Sequence, residues 1–373
     1  MHSILEGKLN YFIKKNKIHN ILIITGQKSF NSSGFKKLEI YKNFKTVMTI
    51  LYKKKKIPEI NELKFLIKKI NIINPDLIIA LGGGCVIDYA KLANLFYNTR
   101  NLKNKIKRKD LKIYSKKTKI LAIPTTAGSG AEATRFSVIY IDKIKHTVEH
   151  SLLKPDFYCL NPKLVVNSPK IVRSSSGFDA IAQALEAIFS KKANINSVKY
   201  SLRSLHFSIK YFLRFVNSPN LVNAANMSKA ANFSGKAINI AKTNAPHALS
   251  YLFTSRFKIP HGIAVSIFFV EIINLYYLTA KKNNNINLIK KFNLLFKVIK
   301  QPDIEGFNNL FNKLLHESGI KDYLSKLLQK IRYQKKIKYY YNLDRLKNSP
   351  IEILKKDINC LYLNKFKNLS INK

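Results

Sequence analysis

The stretch that most constrains the fold is PDLIIALGGGCVIDYAK, Pro75 to Lys91. An apolar run too short for a helix ends at Gly82, Gly83 and Gly84 and gives way to helical spacing. A strand without polar alternation is buried on both faces, which calls for a parallel sheet covered by helices. Glycines at its end let the chain take positive φ and let a ligand approach the backbone. The first amides of the following helix lack internal partners and sit at its positive end, which suits a phosphate. The spacing matches neither the G-x-G-x-x-G fingerprint nor the P-loop, and a tight structural turn would use the same glycines. Asp88 and Lys91 share one side of the helix start, where they can fix the loop, touch a cofactor or form a surface ion pair.

Other segments repeat the pattern. Strands are predicted over 20–25 (NILIIT, closed by Gly26), within 44–52 (VMTILY) and over 118–124 (TKILAIP), with a helical pattern over 60–70. Alternating strands and helices predict an α/β, mostly parallel domain over 1–166, whose glycine turn suits a dinucleotide phosphate. After about Lys170 the spacing becomes helical, over 177–189, 197–216, 221–240 and from 258 onward, which predicts an all-helical domain over 167–373. Ser174-Ser-Ser-Gly reads as the start signal of the first of these helices. The Lys/Asn-rich stretch 281–291 reads as a helix–helix loop whose last residues, Ile-Lys-Lys, begin the next helix.

Charge requires a separate reading. Lys and Arg number 66 against 21 Asp and Glu, a formal +45. The cations are mostly lysines, spread along the chain among Asn and Ile, as a solvated surface of biased composition would be. Zinc-finger spacing, RNA-binding aromatic signatures and basic-zipper heptads are lacking, so no specific nucleic-acid partner is expected and a basic polyanion-binding protein is the alternative. Three scattered cysteines, Cys85, Cys159 and Cys360, give no disulfide framework. Without a leader pattern or an apolar run of membrane-spanning length, a soluble cytoplasmic protein with no membrane partner is expected. A homodimer is left open.

A second polar loop, PTTAGSGAEATR, Pro124 to Arg135, follows the strand over 118–124. Open parallel sheets bind ligands at the carboxyl ends of their strands. Thr125, Thr126 and Ser129 therefore suit the ribose or nicotinamide side of a dinucleotide, although helix capping would also use such hydroxyls. In the helical half, Asp179 and Gln183 are i and i+4 on one helix side. His247 and His261 each follow a proline. One carboxylate and two imidazoles can hold a divalent first-row metal, Fe2+ or Zn2+, with Gln183 as a weaker fourth oxygen. Two satisfied core histidines would look the same.

Taken together, GGGCVIDYAK (82–91), PTTAGSGAEAT (124–134), LKPDFYCLNPKL (153–164), GFDAIAQALE (177–186), PHALSYLFTSRFKIPHG (246–262) and NLDRLKNSP (342–350) resemble the iron-containing, group III alcohol dehydrogenases, in family order over nearly the whole chain. The resemblance implies the dehydroquinate synthase-like fold of that family, with the active site in the cleft between its domains. It places the family's metal carboxylate on Asp179 and its two later metal histidines on His247 and His261. The family's usual second ligand is a histidine where this chain has Gln183. A further histidine near the nicotinamide, four residues beyond the first, is Tyr251 here. With AEATRFSVIY, TNAPHALSY and SRFKIPHG, these departures look like the phosphonoacetaldehyde reductase branch.

That likeness implies hydride transfer between NAD(P)H and a small, anionic aldehyde, phosphonoacetaldehyde to 2-hydroxyethylphosphonate, with Tyr251 or water giving the proton. Arg135 is the first candidate for the anionic group, ahead of Lys145 and His146. Where many members carry an aspartate after the first strand, this chain has Gly26, followed by Gln27, Lys28 and Ser29, which would tolerate the 2′-phosphate of NADPH; NADH through other groups is the alternative. A dehydrogenase of neutral aldehydes or diols, and a silent relative in which Gln183 fails to hold metal, are the competing readings.

Overall fold

Ile21, Ile23, Ile79 and Leu81 pack on one side of a central sheet with Phe30 and Phe35, while Leu22, Ile24, Ile78 and Ala80 pack on the other with Leu63, Leu66, Tyr89 and Leu92. Burial of both faces explains why these strands show no polar alternation. The computed structural model of the protein describes residues 2–3, 9–32, 34–35, 47–331 and 341–371. Its strands are β1 (His2–Ser3), β2 (Asn20–Gly26), β3 (Val47–Lys53), β4 (Leu77–Gly82), β5 (Lys119–Pro124), β6 (Phe136–Ile141), β7 (Ile144–Glu149) and β8 (Phe157–Tyr158). Six of them form a sheet of order β1-β8-β5-β4-β2-β3, with all pairs parallel. The strand expected within 44–52 is β3; residues 44–46 lie outside the described residues.

From β2 the chain steps to β3 on one side, then returns to β4 and onward to β5 and β8 on the other. The reversal falls between β2 and β4, whose carboxyl ends are Gly26 and the Gly82 turn. Open sheets bind ligands in such a crevice.

Beyond the central sheet, β6 and β7 form an antiparallel hairpin. Asp142 (φ 51°) and Lys143 (φ 64°) make its two-residue turn, the left-handed pair that hairpins favour. The turn lacks the usual glycine, so residues along the chain do not announce the hairpin. Asp88 and Lys91 anchor this unit. Asp88 Oδ2 accepts from Val138 N at 3.1 Å. The buried Lys91 ammonium donates to Ala131 O (3.1 Å), Thr134 O (2.9 Å), Thr134 Oγ1 (3.2 Å) and Phe136 O. Lys91 thus ties the 131–136 segment to this helix and Asp88 ties the hairpin to it, and Lys91 is too buried for a surface ion pair.

Helices dominate from Lys170 onward. The first, Lys170–Phe189, starts directly after Pro169 and not at the serine cluster. Ser174 Oγ instead donates backward to Lys170 O at 3.0 Å and to Ser318 O at 2.7 Å, so it serves packing and not capping. The expected loop over 281–291 shrinks to 283–285, between helices Phe269–Lys282 and Ile286–Ile299. There Asn285 caps the second helix by accepting from Leu288 N at 3.0 Å, and Leu288, Phe292 and Leu295 form its buried stripe. Among the described residues no helix is long and apolar enough to cross a membrane.

One helix crossing sets the site. Gly262, in the helix His261–Ser266, lies so close to the helix Lys170–Phe189 that an added Cβ would sit 1.8 Å from Ser175 O and 3.0 Å from Asp179 N. Its amide also donates to Ser175 Oγ at 3.1 Å. This backbone-to-backbone approach delivers His261 to Asp179. Gly262→Ala is expected to destabilise the protein by about 2–4 kcal/mol through overpacking. Denaturant unfolding checks this, and an unchanged midpoint would show that the two helices separate freely.

Candidate functional site

Asp179, Gln183 and Glu186 stand at i, i+4 and i+7 on the helix Lys170–Phe189, forming one polar stripe on its otherwise apolar stretch 177–189. All three are buried. The stripe faces the short helices Ala245–Leu249 and His261–Ser266, which carry the two histidines. Prolines at 246 and 260 sit at their starts, where a missing N–H costs nothing.

Glu186 organises the first histidine. Its carboxylate contacts His247 Nδ1 and accepts from Asn244 N at 2.6 Å. With Nδ1 committed, Nε2 of His247 turns to Asp179, 3.2 Å from Oδ1. Burial alone would lower the His247 pKa, but Glu186 and Asp179 outweigh it and raise it to about 9. His261 differs. Burial and the positive charge of Lys145 hold it well below its ordinary range, so it is a neutral imidazole with a lone pair. Its Nδ1 lies 3.4 Å from Thr254 Oγ1, whose hydrogen goes to Ser250 O at 3.1 Å. With the hydroxyl hydrogen placed there, Nδ1 donates to Oγ1 and Nε2 is left with the lone pair that a metal needs.

Ligand atoms of Asp179, His247 and His261 all lie within 4.8 Å of one another. Donors about 2.0–2.2 Å from one cation would lie roughly 3–3.5 Å apart, so the cluster needs little contraction. Two imidazoles, a carboxylate and a carboxylate behind one imidazole suit a divalent first-row ion. Gln183 stands beside them in a different posture. Its amide nitrogen donates to Asp179 Oδ2 at 3.1 Å and its oxygen accepts from Ser234 Oγ at 3.1 Å. In this arrangement it steadies the carboxylate and turns no oxygen to the centre.

The two polar loops meet at the sheet edge. Thr125 N donates to Gly82 O at 3.1 Å. A Cβ on Gly83 would lie 3.3 Å from Thr126 Oγ1, and one on Gly84 2.8 Å from Ser129 Oγ. The helix Gly84–Leu95 starts at Gly83 without a side-chain cap, leaving its first amides for a ligand. Gly128 presses on Ser176, one turn before Asp179, and so couples the second loop to the ligand-bearing helix. At the end of β2, Ser29 Oγ donates to Gly26 O at 2.9 Å, and the stem of Lys53 lies 3.6 Å from where a Gly26 Cβ would be.

Tyr251 is fully buried, its hydroxyl 3.5 Å from Thr147 Oγ1. Burial raises its pKa, but Arg345 and Lys145 outweigh that and bring it down to about 8. Lys145 Nζ lies 4.2 Å, and Arg345 Cζ 5.9 Å, from the centre of its ring. Lys145, His146, Thr147 and Arg345 line a cavity of about 1040 Å³ between the hairpin and the 342–348 segment. Arg135, the first candidate for an anion contact, does not line it. Its Nε and Nη2 bond Glu149 Oε1 at 3.2 and 3.1 Å, and Lys242 holds the other oxygen. Glu186, Thr147 and Arg345 received no role from the sequence. Glu186 was signalled by its i+7 position and Arg345 only by lying in the NLDRLKNSP block, whereas nothing local marked Thr147.

Residues 5–162 match the family model described as iron-containing alcohol dehydrogenase. Residues 173–363 match that of the C-terminal part of the Fe-containing alcohol dehydrogenase family. An alcohol dehydrogenase of Thermococcus barophilus is 32% identical over 167 residues, 43% of this chain and 44% of that protein, so the match spans less than half of its length. A 4-hydroxybutyrate dehydrogenase of Clostridium kluyveri is 29% identical over 271 residues, 69% of this chain and 70% of that one. The iron-containing alcohol dehydrogenase structure from Thermococcus thioreducens superposes with a TM-score of 0.83 at 20% identity, covering 98% of both chains, and shares the fold.

Because Glu186 fixes the tautomer of His247, Glu186→Gln is expected to weaken divalent-metal affinity about 10- to 100-fold. Titration of the apo-protein against a chelator of known affinity measures this. Unchanged affinity would show that His247 orients itself.

Proposed function

The chain belongs to the iron-containing alcohol dehydrogenase family, and from that premise we propose that it interconverts a small aldehyde and its alcohol by hydride exchange with NAD(P)H. The observation that carries the reading is the convergence of Asp179, His247 and His261 within 4.8 Å, with Asp179 on a helix that touches the second of two ligand-ready loops. When bound, a divalent cation would polarise a carbonyl and a nicotinamide would supply hydride.

The chain's own residues do the rest. Glu186 and Gln183 hold His247 and Asp179 in place, so the donor set is preorganised. The glycine turn brings backbone amides to the dinucleotide phosphates, and Thr126 and Ser129 border it. Tyr251 gives its phenolic proton to the product oxygen in reduction and takes it back in oxidation. Lys145 and Arg345 make that proton easier to release. Gly26, Ser29 and the neighbouring Lys53 leave the ribose end free of carboxylate, which favours NADPH over NADH. Few and scattered cysteines suit a reducing, cytoplasmic setting.

On substrate, the broader class is the conclusion. The family relatives carry names of alcohols and hydroxy acids, including 1-propanol, butanol and 4-hydroxybutyrate. The narrower phosphonoacetaldehyde reading has the support of the sequence blocks with Gln183 and Tyr251 alone.

Purified protein is assayed for bound metal and for NADPH oxidation with short aldehydes such as butanal. His261→Ala should lower turnover about a thousandfold, the scale of several kcal/mol of charge stabilisation, while dinucleotide binding stays within a few-fold. Activity that survives in His261→Ala would sink the metal reading. Because Tyr251 carries its proton below about pH 8 and loses it above, aldehyde reduction should fall above about pH 8. Tyr251→Phe should be slower and lack that descending limb; a limb that persists assigns it to another group.

A further inference from the structure

Among the described residues two lysines are buried, Lys91 and Lys145, and they differ in their partners. Lys91 has four oxygen acceptors. Arg135 and Lys242 share Glu149. Lys145, only 7% exposed, has no hydrogen bond or ion pair among the described residues beyond its position over the Tyr251 ring. The carboxylates whose fields reach it are engaged elsewhere: Asp179 with His247 and Gln183, Asp88 with Val138 N. A buried ammonium without an acceptor is costly, and a ring face offsets only part of that cost. Arg345 stands over the same ring, likewise without a carboxylate partner among the described residues. The two cations repel, each lines the cavity, and the fields of both reach His261 of the ligand cluster.

The acids of that cavity do not relieve them. Glu149 is taken by Arg135 and Lys242, Asp344 pairs with Lys109 at the surface, and the exposed Asp110 forms no ion pair with either cation among the described residues. What would satisfy two converging, unpaired cations is an anion entering from the cavity. Arg345 offers a planar fork and Lys145 a point charge, a combination suited to carboxylate, sulfonate or phosphonate oxygens.

We propose that Lys145 and Arg345 form a substrate-recognition pair, and that the protein's substrates are small aldehydes and alcohols bearing an anionic group, held there while the carbonyl faces Asp179, His247 and His261. This rests on the dehydrogenase reading above and specifies the substrate class of the same site. It also replaces Arg135 in the anion-binding role, because the Arg135 guanidinium is occupied by Glu149.

The test compares kcat/KM of the metal- and NADPH-loaded enzyme for 4-oxobutanoate and for butanal, equal in carbon number and different in charge. Wild type is expected to prefer the anion at least about 10-fold. Arg345→Gln and Lys145→Gln should each cut that preference about 10- to 100-fold, the usual loss for one charged hydrogen bond, and Arg345→Lys should restore part of it. In parallel, calorimetry follows methylphosphonate, methanesulfonate and propanoate binding to the loaded protein, which ranks the headgroups. One site per chain is expected, lost in both Gln variants and kept in Lys281→Gln, a control for general attraction to the basic surface. Equal use of the two aldehydes, or anion preference and binding that survive both substitutions, overturns the pair. If wild type turns over neither aldehyde, the dehydrogenase reading fails. The pair is then upheld by stoichiometric anion binding lost in the variants, and overturned if none is seen.

Discussion

A carboxylate with no exposure to solvent, Glu186, sets the geometry on which the helical half depends. One of its oxygens meets His247 and the other accepts the Asn244 amide, while the Asn244 side chain donates to the Glu186 backbone oxygen at 2.9 Å. These contacts fix the turn between the helices Leu221–Ala241 and Ala245–Leu249, and with it the direction of the first imidazole. A carboxyl group this deep is tolerated only when its oxygens are satisfied. The demand for satisfaction therefore selects one arrangement of the neighbouring chain, and that arrangement leaves His247 Nε2 facing Asp179.

The cofactor side follows a similar logic with backbone in place of charge. Three glycines at the end of β4 bring one loop against the next, and Gly128 carries the contact on to the helix bearing Asp179. Lys91 and Asp88, which open to several readings in sequence, tie the hairpin to this edge from beneath. The hairpin in turn carries Lys145 and Thr147 to Tyr251. Loop, hairpin and ligand cluster are thus linked by direct contacts, and a shift in one would be felt by the others.

The formal +45 divides into two populations. Most of the lysines carry a solvated charge, screened by salt over about 10 Å. Lys145 is shielded from that screening by burial, so its charge acts at short range on Tyr251 and His261. One buried lysine matters more to the chemistry than the exposed excess, because the energy of a charge depends on its surroundings more than on its number.

The sequence by itself determined the features governed by neighbours along the chain. These are the parallel strands β2 to β5, the glycine turn, the helical character after Lys170, and the i, i+4 placement of Asp179 and Gln183. Strand and helix periods are local, so residues twenty or fewer apart suffice to read them. The carried-over order of motifs also brought Asp179, His247 and His261 onto one list before any distance was known. Local reading misplaced the start of the 170–189 helix and the 281–291 loop, where serine and asparagine fit both a cap and a helix interior. Only the tertiary structure decided that Gln183 braces Asp179, that Arg135 is consumed by Glu149, and that Lys145 and Arg345, 200 positions apart in the numbering, share one aromatic ring. The physical reason is that a charged side chain takes its role from whichever partner reaches it in space, and that partner leaves no trace in the residues beside it.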